Sequence, residues 1–263
     1  MDKAWTGLIF AVATGSLAGY AAPSQAACVK QSPLHTVALV ELYTSEGCDS
    51  CPPADRWLSR IRSDGFGADE LVALALHVDY WDRLGWKDRF ASPRFSERQR
   101  VLSGFAGSRT IYTPEVFLNL RETRGWSSAP QFQQAVRNIN SRPALADIRL
   151  ELDSASPALL PIKASFALKP GAAARQPQAF VALFENRLST DVRAGENRGV
   201  TLRHDYVVRE WLGPIEISGG KAEYRKTLAP GPDWNAANMG VAAFIQDFGS
   251  REILQATALA FCR

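Results

Sequence analysis

The feature that most constrains this chain is a change of hydrophobic period at Pro143. From Thr36 to Ile139, continuous apolar runs alternate with helical spacing, the pattern of βαβ units around a buried, partly parallel sheet. Beyond Pro143 the period becomes two. Ile148, Leu150 and Leu152 alternate with Arg149, Glu151 and Asp153, which is the pattern of half-buried antiparallel strands. The expected fold class is therefore α/β plus β: an α/β domain over residues 28–143, then a β-sandwich-like domain over residues 144–263. With 263 residues, 46% hydrophobic and 22% charged, the chain can bury a core, which excludes intrinsic disorder and coiled coil.

Val37–Val40 and Leu71–Val78 read as central strands, and Glu115–Leu120 and the segment around Thr123–Trp126 as two shorter ones. One helix is expected to start near Pro53, with Trp57, Leu58 and Ile61 on one face, and a second near Pro93, carrying Leu102 and Phe105. The third has Phe132, Val136 and Ile139 at i, i+4 and i+7 behind a Ser128/Gln131 capping box. The expected order is β-α-β-α-β-β-α. In the second half, strands are expected at Ile148–Leu152, Ile162–Leu168, Ala179–Glu185, Thr201–Leu212, Lys221–Leu228, Gly240–Gln246 and Ile253–Phe261.

Residues 1–27 read as a secretory signal peptide, a short apolar stretch after Lys3 that ends in small residues. That places the mature chain outside the cytoplasm, periplasmic or secreted. The stretch is too short and too rich in Gly, Ser and Thr for a membrane span. A net charge of +3, spread evenly, leaves no electrostatic footprint for nucleic acid.

An oxidising compartment makes the four cysteines candidates for disulfides. Cys48 and Cys51 can close a local ring, which leaves Cys28 and Cys262 as a structural pair joining the ends of the mature chain. The alternatives are two unrelated thiols at frayed termini or a lipid on Cys28, although Gln25 stands where lipoprotein signals carry an aliphatic residue.

Cys48-Asp49-Ser50-Cys51 sits between the first apolar strand and the first helix. A thiolate there is the species that attacks a disulfide, and a second thiol three residues on resolves the mixed disulfide. The same pair could be a structural staple, or half of a metal site whose other candidates are the scattered His35, His77 and His204. Proline after Cys51 pushes that residue away from the helical region, so Cys51 is expected to lie outside the helix. Glu46 and Asp49 add negative charge beside Cys48, which favours a weakly acidic thiol.

Strand, C-x-x-C, helix, strand, helix and then Tyr112-Thr113-Pro114 at the start of the next strand is similar to the thioredoxin fold. The match extends through Leu42–Asp55, His77–Asp82, Gly85-Trp86, Arg98-Gln99, Gly195–Gly199 and His204–Arg209. These resemble a family of exported thioredoxin-like proteins known only as a domain of unknown function. The resemblance implies that Pro114 is cis and that Thr113 and Pro114 bind substrate. It also points to Glu41 as a buried acid that takes a proton from the resolving cysteine, unless Glu41 simply faces out of a strand end. His77 and Asp79 share a strand face and could relay a proton, or could satisfy polar groups at the strand end.

The expected function is a thiol–disulfide oxidoreductase that uses Cys48 and Cys51 on protein or small thiol/disulfide substrates, with an unidentified redox partner and no cofactor. Two alternatives stand beside it. One is a Cu(I)-binding module through the same pair, and the other is a non-catalytic interaction protein with structural disulfides.

Overall fold

The computed structural model describes residues 1–2, 28–153 and 159–261. The segment expected to be a signal peptide, apart from residues 1 and 2, and Cys262 lie outside the described residues. Among the described residues the chain is a mixed α/β protein, mostly sheet. The strands are β1 (Cys28–Gln31), β2 (Ala38–Thr44), β3 (Leu71–His77), β4 (Glu115–Leu118), β5 (Arg121–Glu122), β6 (Ala146–Leu152) and β7 (Leu160–Leu168). They continue as β8 (Pro177–Glu185), β9 (Leu188–Asp191), β10 (Thr201–His204), β11 (Val207–Glu216), β12 (Lys221–Leu228), β13 (Met239–Asp247) and β14 (Glu252–Ala260). Three helices, α1 (Pro52–Ser59), α2 (Pro93–Phe105) and α3 (Ala129–Asn140), fall where the helical spacing placed them.

The strands do not divide at residue 143. One eight-stranded sheet, in the order β14-β13-β8-β11-β3-β2-β4-β5, takes four strands from each side of that position. The two sets join where β11 runs parallel to β3, Val207 opposite Ala75, with the Ala75 amide donating to the Tyr206 carbonyl at 2.8 Å. The expected boundary fails as a sheet boundary because periodicity reports which faces of a strand are buried and says nothing of its neighbour. β13 shows the difference: all nine of its residues are buried, so it is a central strand rather than a half-exposed one.

The central sheet is covered on both faces. On one face, Leu39, Tyr43, Val72, Leu74 and Leu76 join Phe180, Trp211 and Phe244 from the second half of the chain, under Phe95 and Leu102 of α2. On the opposite face, Val40, Leu42 and Ala73 pack against Trp57 and Leu58 of α1 and against Phe132 and Val136 of α3. Further along that face, a four-stranded sheet in the order β1-β6-β7-β12 seals a third core through Ile148, Leu150, Ile162, Val181 and Val241. The sandwich-like layering expected of the second half is thus made against the shared sheet.

Several local expectations change. β1 was invisible to pattern reading because a four-residue edge strand has no resolvable period; it pairs antiparallel with β6. α1 begins at Pro52, not Pro53, and Cys51 is its N-cap with helical φ −77° and ψ −36°. Two prolines cost nothing there, since the first turn has no intrahelical acceptor for their missing amides. Cys51 thus stays outside the helix as its N-cap, as expected, though with helical backbone angles despite the proline that follows it, while Pro52 falls inside.

Ser128 does cap α3, but its side chain makes no capping bond, so the capping box is absent. The β4–β5 hairpin is tighter than expected. Asn119 and Leu120 both take positive φ, at 46° and 65°, which is the two-residue turn that fits strand twist, and β5 falls at Arg121–Glu122 rather than near Thr123–Trp126. Finally, the run expected as one strand over Thr201–Leu212 breaks at Tyr206, with φ 59°. Its first part, β10, pairs with β9 as a separate two-stranded ribbon.

Candidate functional site

Cys48 and Cys51 form a disulfide at the junction of β2 and α1, and each side chain has 0% exposed surface. The Cys48 amide donates to the Ser45 carbonyl at 3.2 Å, and the Cys51 carbonyl accepts from the Ala54 and Asp55 amides at 2.9 and 3.2 Å, which starts the helix. Cys48 Sγ lies 3.8 Å from the Thr113 carbonyl oxygen and 3.3 Å from Ser50 Oγ. The Thr113–Pro114 peptide is cis, and Thr113 is held in turn by a 2.8 Å bond from Trp81 Nε1 to its Oγ1. Thr113, Pro114, Cys48 and Cys51 are thus brought together.

Glu41 is not with them. Side chains alternate along a strand, so Glu41 shares the face of Leu39 and Tyr43, under α2, while Cys51 opens α1 on the other face. Its carboxylate accepts from Arg98 Nε at 2.5 Å and Nη2 at 2.8 Å, and from the Tyr43 hydroxyl at 3.0 Å. A carboxylate held at both oxygens by a guanidinium is not a free proton acceptor, so the role as base for the resolving cysteine does not fit Glu41. Burial would lower the Arg98 pKa, but the Glu41 charge outweighs it and the net direction is up.

His77 and Asp79 also separate. Asp79 lies beyond the end of β3 and accepts from the Ser96 hydroxyl at 2.5 Å. His77 Nδ1 lies 2.7 Å from Asp88 Oδ2, with both side chains fully buried. Burial alone would lower His77 and raise Asp88; their mutual charge and hydrogen bond win, so His77 is raised and Asp88 lowered, the signature of an imidazolium–carboxylate pair.

Around this pair the fold gathers further buried groups that pattern reading did not join. His204 Nε2 is 3.3 Å from Glu46 Oε1, and His204 Nδ1 is 3.8 Å from Asp55 Oδ2. The rings of His77 and His204 stand edge to face at 5.0 Å. Burial raises the Asp55 pKa against the opposing charges of His204 and His77. Glu46 turns into this set, where Trp86 Nε1 donates to its Oε2 at 2.9 Å; only Asp49 of the two acids flanking Cys48 stays at the surface.

The Asn197 amide donates to the carbonyls of Glu46 and Cys48, both at 2.9 Å, and so anchors the β9–β10 loop on the cysteine loop. Asn197 and His204 fall inside the two C-terminal segments that carried the family resemblance, which was the one sequence signal for them. Among the described residues no group of three or more His, Cys, Asp or Glu side chains is arranged to hold a metal ion. Cys28 is not a free thiol and packs in the same core cluster as Phe261, while its expected partner Cys262 lies outside the described residues.

Residues 39–246 match the family model described as "Protein of unknown function (DUF1223)". The chain belongs to the DUF1223 family. Among solved structures, this DUF1223 chain is similar to protein AGR_C_4864 from Agrobacterium tumefaciens, at 23% identity and TM-score 0.58, covering 88% of this chain and 97% of that one. It is also similar to HBP35 of Porphyromonas gingivalis, at 13% identity and TM-score 0.64, covering 88% and 76%. At these identities the likeness concerns the fold. No curated protein matches the chain. No helix of the described DUF1223 residues is long and apolar enough to cross a membrane.

Just past Pro114, Glu115 is fully buried, accepting from Gln99 Nε2 at 2.7 Å and from the Ser103 hydroxyl at 3.3 Å, and burial pushes its pKa up to about 7. An acid raised on folding holds a proton that the unfolded chain has already released, so its contribution to stability declines as pH rises from about 4.5 through 7. The decline amounts to at most about 3 kcal/mol. Glu115→Gln keeps an acceptor for Gln99 and removes the titration. Its thermal midpoint is expected to vary less than that of the wild type between pH 5 and 8, and parallel curves would contradict the assignment.

Proposed function

We propose that this chain is an exported thiol–disulfide oxidoreductase whose Cys48/Cys51 couple acts on protein or small thiol/disulfide substrates. The observation that carries the reading is the placement of the C-x-x-C pair at a strand-to-helix junction, with Cys48 Sγ against the carbonyl that precedes a cis-proline. A thioredoxin-like unit accounts for this part of the chain. In its support, β3-β2-β4-β5 are adjacent in that order, with α1 and α3 on one face and α2 on the other.

An open groove of about 500 Å³, lined by Thr110, Tyr112, Pro114, Arg124 and Trp126, begins beside the cis-proline and has the aromatic, half-apolar character that suits an extended client chain. In the oxidising direction a client thiolate attacks Cys48 Sγ, the Cys48–Cys51 bond breaks, and its electron pair leaves on Cys51. A second client thiol then displaces Cys48, so the client gains the disulfide and the two cysteines end as thiols. Residues 1–27 fit this reading as an export signal, since the couple needs an oxidising compartment to recharge.

One observation favours a second reading. With no exposed surface on either cysteine, exchange requires the cysteine loop or its neighbours to open, whereas a structural staple needs no access. Trapping separates the two. In the exporting cell, Cys51→Ser is expected to accumulate mixed disulfides through Cys48 that vanish in Cys48→Ser/Cys51→Ser. Absence of any such adduct, together with a purified pair that resists reduction until below about −300 mV, overturns the oxidoreductase reading.

A further inference from the structure

Five ionisable side chains, Glu46, Asp55, His77, Asp88 and His204, are gathered under the cysteine loop, none of them more than 6% exposed. They come from four places in the chain: the β2–α1 loop, α1, β3 with the segment after it, and β10. Buried polar groups are ordinarily all paired. Here Glu46 Oε1, His77 Nε2 and both ring nitrogens of His204 have no hydrogen bond of good geometry. Three carboxylates face two imidazoles, and His77 is already committed to Asp88. The remaining three, Glu46, Asp55 and His204, approach within 3.3 and 3.8 Å, so one imidazole stands between two carboxylates, with room for a proton between ring and acid.

The position of this set relative to the disulfide follows from helix geometry. Cys51 has helical backbone angles and Asp55 lies four residues on, so both fall on one face of α1, one turn apart. We propose that Asp55 and His204 are positioning residues for the Cys48–Cys51 couple, holding between them the proton that meets Cys51 when it is released as a thiolate.

This rests on the redox reading above. When a dithiol reduces the pair, its first thiolate bonds to Cys48 Sγ and the cleaved disulfide leaves an electron pair on Cys51, in a site with no exposed surface where an anion is costly. The shared proton moves to Cys51. The second thiol of the reductant then closes its own disulfide and releases Cys48. Of the two protons the reductant gives up, one ends on Cys48 and the other returns to the Asp55–His204 pair.

The groups facing His204 are Glu46 from the cysteine loop, Asp55 from α1, His77 from β3 and the Phe90 ring at 5.8 Å; Asp88 acts on it through His77. The chain has only three histidines, so their ring signals can be assigned by nuclear magnetic resonance in the full protein. Titrated from pH 5 to 9 in oxidised and in dithiothreitol-reduced protein, the His204 ring is expected to change proton affinity about tenfold, one pH unit, between the two states. His35, bonded to the Asp69 carbonyl away from the site, should not move.

In the same buffers, the pH profile for dithiothreitol reduction, corrected for the thiolate fraction of the reagent, should lose a step in Asp55→Asn and recover it in Asp55→Glu. A pair that is reduced while the His204 titration stays put, or a profile unchanged in a folded Asp55→Asn, overturns this proposal alone. A pair that dithiothreitol cannot reduce overturns the oxidoreductase reading and this proposal with it.

Discussion

Arg98→Met is expected to destabilise the protein by about 3–5 kcal/mol, read as a lower urea midpoint at unchanged slope. Arg98 is the most heavily connected cation among the described residues. Its guanidinium forks onto both oxygens of Glu41 and donates to Gln246 Oε1 at 3.2 Å. It lies over the rings of Trp211, Phe244 and Phe180 at 4.7, 5.3 and 5.4 Å. These partners sit on β2, β8, β11 and β13, so one side chain from α2 ties both halves of the chain across the central sheet.

Removing the cation leaves Glu41 buried without a counter-charge, which costs more than the pair contributes. Glu41→Gln/Arg98→Met should therefore recover a large part of the loss. Failure to recover would assign the effect to the aromatic stack, whose cation–π share is ~1–2 kcal/mol per desolvated contact.

Asp88→Asn is expected to cost about 3 kcal/mol, with a pH signature that an uncharged packing defect would lack. Asp88 accepts from the Glu46 amide at 2.9 Å and the Phe90 amide at 2.9 Å as well as pairing with His77, so it fixes the cysteine loop to the segment after β3. Its carboxyl is lowered on folding, so its contribution holds above about pH 4 and is lost as pH falls through the lowered value. His77 is raised on folding, so its contribution is complete below about 6.5 and is lost as pH climbs through the raised value. The difference between wild type and Asp88→Asn should accordingly be widest between about pH 4 and 6.5 and narrow on both sides. A difference that does not vary with pH would contradict the charged pair.

How far the site was legible depends on how local its signals are. Cys48, Cys51 and the helix start after them are contiguous, and a strand run followed by two prolines marks a strand-to-helix junction without reference to anything distant. Thr113 and Pro114 were reached only through a resemblance, because nothing in a Thr-Pro dipeptide says what it packs against.

Asp55 entered only as the last residue of a segment that carried the family resemblance, and His204 as a scattered histidine that opens another. Asn197 lay inside a segment marked only by the family resemblance, and Asp88 drew no notice. Their convergence spans 149 positions between Asp55 and His204, and it exists because β10 turns back as a ribbon with β9 and sets its last residue over α1. Glu41 failed in the opposite way. Its burial was one of two readings left open, and its partner Arg98 was in neither.

The sequence by itself determined the order of strands and helices from Ala38 to Asn140, the antiparallel character beyond it, and that two cysteines three residues apart can close a local ring. Each follows from interactions within a few residues, where side-chain period and proline position are decisive. Only the tertiary structure decided that both halves share one sheet, that the disulfide is wholly buried, and that Glu41 answers to Arg98 while Asp55 meets His204. The physical reason is that alternation places adjacent residues on opposite faces of a strand but leaves open which helix, ring or charge will cover each face. That choice belongs to contacts made across the fold.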